Sequence, residues 1–128
     1  MTMNIKIQGL GEKLTQDFVY FCCKELDVQP DSIEIIGDDW AGENTGLCID
    51  LDEKDFLICV AVNDRNLTQI YTTIAHELVH IKQYMKQDLG SLLNKDKPEY
   101  LDRWWEKEAR EKSLDLVKKF VDILERIR

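Results

Sequence analysis

The chain has 128 residues, 44% of them hydrophobic and 33% charged, enough for one domain around one buried core and ordinary for a soluble globular protein. Its 25 acidic side chains against 17 basic ones give a formal charge of -8, which favours solubility and argues against a nucleic-acid backbone as the main partner. No apolar run reaches membrane-spanning length, and the opening MTMNIKIQGL lacks the apolar core and small-residue cleavage site of a secretory signal, so a cytoplasmic protein is expected.

Ile5 and Ile7 alternate within the first ten residues and suit a short strand or an arm. From Glu12 to Leu26 the apolar positions Leu14, Phe18, Val19, Phe21, Cys22 and Leu26 recur at helical spacing, predicting an amphipathic helix on one face of the core. Pro30 is expected to end that segment, because the residue before a proline is pushed out of the helical region. Ser32 to Ile36 is a short β-prone run, and Gly37 to Gly46 is rich in turn residues around Trp40, an aromatic better suited to anchoring a core than to lining a cleft.

Gly46 to Leu51 and Asp55 to Val62 face each other across the acidic turn Asp52-Glu53-Lys54, predicting an antiparallel hairpin. The second run is apolar from Phe56 to Val62, which suits a sheet interior covered on both faces. Four cysteines, Cys22, Cys23, Cys48 and Cys59, form no CxxC pair. Although Cys48 and Cys59 fall on the two arms of the hairpin, a reducing compartment keeps such thiols free.

Asn66 followed by Gln69 has the form of a reciprocal helix cap, and Ile70, Ile74, Leu78, Ile81 and Met85 then continue at intervals of three or four. In the middle of that helix lies HELVH, His76-Glu77-Leu78-Val79-His80, which contains both histidines of the chain. A spacing of four puts the two imidazoles on one face, one turn apart, with Glu77 beside them. Neutral imidazoles bind Zn²⁺ without cancelling its charge, and a neighbouring carboxylate can take a proton from an activated water and deliver one to a leaving nitrogen. His76 and His80 are therefore the candidate zinc ligands and Glu77 the candidate catalytic base.

Gln87 to Lys97, with Gly90, suits a connecting loop. Asp96 and Glu99 can cap a final helix with Pro98 in its first turn, and the helical pattern then runs almost to Arg128. Lys118, Lys119, Arg126 and Arg128 lie among acidic residues there, the pattern of a solvated helix face. The elements add up to an α+β single domain over residues 1–128: a small antiparallel or mixed sheet against an N-terminal helix, the HELVH helix and a long C-terminal helix.

A catalytic zinc site needs a third protein ligand, and with no further histidine and all cysteines upstream, the choice falls on Asp and Glu. On the final helix Leu101, Trp104, Trp105 and Ala109 define an inward arc that includes Glu108, while Glu106 points well away. A carboxylate on an apolar face is costly unless compensated, and zinc would compensate it. Glu108 is thus the expected third ligand, with Glu111 in reserve. Trp104 and Trp105 suit the core or the wall of a site.

HELVH followed by a helical Glu-x-Glu-Ala segment resembles the gluzincin zinc metallopeptidases, and in style the small intracellular metallopeptidase-like proteins of bacteria and phages. The resemblance implies a zincin-like core from about Gly46 to Ala109, with His76, His80 and Glu108 on zinc, Glu77 as base, and a peptide or protein substrate. The chain departs from the pattern in being short for a peptidase and in lacking a downstream histidine to support an oxyanion, which leaves Tyr100 and Tyr71 as candidates. The alternative expectation is a zincin scaffold that binds zinc without turnover, as a regulatory or protein-interaction domain.

Overall fold

The structure, a computed structural model, describes residues 3–39, 45–87 and 104–127. Trp40, the connection around Gly90, the Asp96/Glu99 cap with Pro98, Tyr100 and Leu101 lie outside the described residues. The described residues form an α+β arrangement of a four-stranded mixed sheet and three helices: β1 (Asn4–Gln8), α1 (Glu12–Glu25), β2 (Ser32–Asp38), β3 (Gly46–Asp52), β4 (Asp55–Ala61), α2 (Leu67–Lys86) and α3 (Trp104–Ile127). None of these helices is long and apolar enough to cross a membrane.

The sheet runs β1-β2-β4-β3, with β1, β2 and β4 parallel and β3 antiparallel to β4 at the edge. The first ten residues thus contribute a strand rather than an arm, joined to its parallel neighbour through α1. Period-two alternation decides which side chains are covered. Ile5, Ile33, Ile35, Phe56, Ile58 and Val60 fall in register and are buried in the same cluster as the helices. Their alternates Leu57 and Cys59 are only half-buried, and Leu47, Ile49 and Leu51 are exposed. The unbroken apolar run of β4 therefore marks an inner strand with one face fully covered, not two. The register also separates two thiols: Cys48 pairs with Ile58 on the covered face, while Cys59 pairs with Leu47 on the other, and all four cysteines are free.

α1 stops at Glu25, well before Pro30, because Asp27 takes a left-handed φ of 54°. The Val28 amide then bonds the Cys23 carbonyl at 3.0 Å and the Asp27 amide that of Lys24 at 3.2 Å, satisfying carbonyls that the last turn leaves open. The predicted cap of α2 is present: the Gln69 amide donates to Asn66 Oδ1 at 2.8 Å, and the Asn66 amide to Gln69 Oε1 at 2.9 Å, an arrangement worth about 1 kcal/mol to a helix. Arg65 then ties the start of α2 to the end of β4, donating to the Ala61 carbonyl at 2.7 Å and the Gln69 carbonyl at 2.9 Å. Phe18 of α1 stacks on Tyr71 of α2 at 4.6 Å and meets Phe120 of α3 edge-on at 5.0 Å, so one ring joins all three helices. These contacts hold α2 against the edge of the sheet and α3 along α2, which sets the two halves of the site.

Candidate metal centre

Both histidines occupy the face of α2 that meets α3, with ring centroids 4.9 Å apart. The carboxylate brought to them is Glu106, whose Oε2 lies 3.1 Å from His76 Nε2 and whose Oε1 lies 3.1 Å from His80 Nε2. His76, His80 and Glu106 each offer a ligand atom within 4.8 Å of the others, and they are the metal-ligating group of this kind among the described residues. Burial would lower the His80 pKa, but hydrogen bonds with Glu106 and Gln83 and the negative charge of Glu77 and Glu106 raise it above its ordinary value.

Glu108, the expected third ligand, is held elsewhere. It accepts from Lys82 Nζ at 3.1 Å and from Gln83 Nε2 at 2.9 Å, and pairs with Lys112 at 3.6 Å. Burial pushes the Glu108 carboxyl up, yet the bonds from Gln83 and Lys82 and the charges of Lys82 and Lys112 outweigh it and hold the group below the usual carboxylate value. Its charge is thus compensated by Lys82 and Lys112.

The phase of α3 accounts for the difference. Trp104, expected on the inward arc, is 41% exposed, whereas the buried residues of α3 are Trp105, Ala109, Ser113, Leu116, Val117 and Phe120. At 100° per residue this turns the inward arc by roughly 80°, carrying Glu106 into it and Glu108 out of it. Glu106, Ala109, Ser113, Leu116 and Phe120 follow one another at intervals of three and four, a stripe visible in the sequence once the small polar Ser113 is admitted to the core. Glu111, the reserve candidate, is exposed.

Glu77 is buried, 7% exposed, within electrostatic reach of both histidines and of Glu106. Burial pushes its carboxyl above the usual range; His80 and His76 pull it down and Glu106 pushes it up again. The start of β3 lies against it. A side chain at Gly46 would collide with Thr73 and stand 3.2 Å from Glu77 Oε2, so glycine permits the close approach of strand to helix. Burial raises the Cys48 thiol pKa, with further contributions from Glu77 and Asp50, placing that residue on the same side. Tyr71 is directed elsewhere, its hydroxyl 2.9 Å from Thr15 Oγ1 and its ring on Phe18.

Two nitrogens and a carboxylate, two of the three residues on one rigid helix, are a donor set of the kind that suits Zn²⁺. The Nε2 atoms and carboxylate oxygens already converge, so loss of the protons between them exposes lone pairs to a common centre. Comparison with known proteins finds no matching family model, no matching curated protein and no matching solved structure.

Proposed function

We propose that this chain is a zinc-dependent peptidase of zincin-like architecture that hydrolyses peptide bonds in a peptide or protein substrate. The observation that carries the reading is the convergence of His76, His80 and Glu106 beside the buried carboxylate of Glu77. The resemblance of HELVH and its downstream helical glutamate to gluzincins supports it, with Glu106 rather than Glu108 as the glutamate concerned.

His76 and His80 through Nε2 and Glu106 through its carboxylate would hold the ion. Zinc, when bound, supplies a Lewis acid that lowers the pKa of water and polarises a carbonyl. Glu77 is the chain's proton carrier: its carboxylate accepts a proton from the attacking water and returns one to the leaving nitrogen. Its burial in an environment shared with the two histidines strengthens these interactions by excluding bulk solvent. A catalytic site needs three protein ligands and a position left for water, which the group His76, His80 and Glu106 found among the described residues would supply, and the free thiols of Cys22, Cys23, Cys48 and Cys59 fit a reducing, cytoplasmic setting.

The test is hydrolysis of denatured and folded proteins by the chain as zinc is titrated in and then removed with a chelator. Cleavage that rises with zinc to one equivalent and disappears on chelation is expected. Stoichiometric zinc uptake with no cleavage of any substrate would replace the peptidase by a non-catalytic zinc-binding scaffold.

A further inference from the structure

The Gln83 side chain is wholly inaccessible to solvent, although a buried primary amide is costly unless its hydrogen bonds are made. Its hydrogen bonds run to His80 on its own helix and to Trp105 and Glu108 on α3. Its Oε1 lies 2.7 Å from His80 Nδ1, and its Nε2 donates to the Trp105 carbonyl at 2.8 Å and to Glu108 Oε1 at 2.9 Å. A backbone carbonyl and a carboxylate can only accept, so the amide must turn its –NH₂ toward α3. Its oxygen then faces His80, and because that oxygen can only accept, His80 Nδ1 must carry a proton. The nitrogen left to face Glu106 and a cation is Nε2. Spacing of three along α2 sets Gln83 beside His80, and Lys82 and Lys112 hold the carboxylate that orients the amide.

We propose that Gln83, oriented by Glu108 and the Trp105 carbonyl, is a positioning residue that fixes the Nδ1-protonated form of His80 and thereby presents Nε2 to the metal. The metal part of this inference rests on the zinc reading above. It also gives Glu108 a role: the residue acts on the site through Gln83 instead of touching the ion. Outer hydrogen-bond partners of metal-bound histidines fix ring orientation and tautomer, and losing one commonly weakens metal affinity about 10- to 100-fold.

The experiment compares wild type with Q83M, E108L and E108Q. Zinc affinity is measured by competition with a chromophoric chelator, and the imidazole nitrogens of His80 are observed by ¹⁵N–¹H NMR in zinc-free protein. Wild type should show a proton on Nδ1, slow to exchange, whatever the state of Nε2. Q83M should lose that protected signal and bind zinc about 10- to 100-fold more weakly, with its far-UV circular dichroism unchanged. E108L, altered at a half-buried position, should free the amide to turn and weaken zinc in the same direction, whereas E108Q, which still offers an oxygen to Gln83, should keep wild-type behaviour. If Q83M fails to fold, E108L against E108Q decides the question. A wild-type His80 without a proton on Nδ1, or folded Q83M and E108L variants with wild-type zinc affinity and an unchanged Nδ1–H signal, would overturn the proposal. A wild type that takes up no zinc would defeat the metal assignment, and the zinc-free spectra would still decide what Gln83 does to His80.

Discussion

Replacing Gly46 with alanine should damage both stability and turnover while leaving zinc in place. Gly46 pairs with Val60 where β3 begins, and its added Cβ would fall inside the contact distance of Thr73 Cγ2, 3.2 Å from Glu77 Oε2 and 3.5 Å from Glu77 Cγ. Thr73 cannot easily give way. Its hydroxyl is bonded to Arg65 and to the Gln69 carbonyl, and Arg65 is itself fixed on the Ala61 carbonyl. The strand must therefore move off the helix or Glu77 must turn. Overpacking of this kind costs about 1–3 kcal/mol, and at roughly 4 °C per kcal/mol for a chain of this size the Tm should fall by about 4–12 °C. If Glu77 shifts by about 1 Å, hydrolysis should fall by about 10²-fold. Zinc content should not change, because His76 and His80 meet Glu106 on the α3 side. Differential scanning fluorimetry, metal analysis and a peptide-hydrolysis assay read the three effects. A G46A protein with wild-type Tm and wild-type turnover would refute the close approach of β3 to Glu77.

Glu77→Gln should retain zinc and lose turnover by about 10²- to 10⁴-fold, the usual contribution of a positioned proton-transfer group; unchanged hydrolysis at equal zinc content would remove Glu77 from the role of base. Phe18→Ala removes a fully buried ring at 4.6 Å from Tyr71 and 5.0 Å from Phe120, and should cost about 3–5 kcal/mol in urea unfolding. A loss under about 1 kcal/mol would show that the three helices do not depend on that ring.

The fold is legible in the sequence where one periodicity or one cap decides the outcome. α1 begins at Glu12, the hairpin arms begin at Gly46 and Asp55, and Asn66 and Gln69 make both bonds of the predicted cap. Residues whose environment depends on a distant element were not legible in the same way. The apolar run of β4 carries no sign that helices cover only one side of the sheet, and α1 is terminated by the backbone of Asp27 before Pro30 can act. The spacing of His76 and His80 puts them on one face of α2, but the third carboxylate depends on the rotation of α3, which two adjacent tryptophans of opposite burial obscure. Trp105 is buried while Trp104 is 41% exposed, so aromatic bulk alone does not mark the inner face. Gln83 gave no signal, since a glutamine in an amphipathic helix acquires meaning only when Trp105 and Glu108 are known to lie opposite it.

Anomalous diffraction at the zinc absorption edge, from crystals grown with the metal, tests the assignment most directly. The account predicts one zinc per chain between His76 Nε2, His80 Nε2 and the Glu106 carboxylate, with Glu108 still on Lys82 and Gln83. A peak coordinated by Glu108 or Glu111 in place of Glu106, or no peak at the two histidines in zinc-replete crystals, would contradict it.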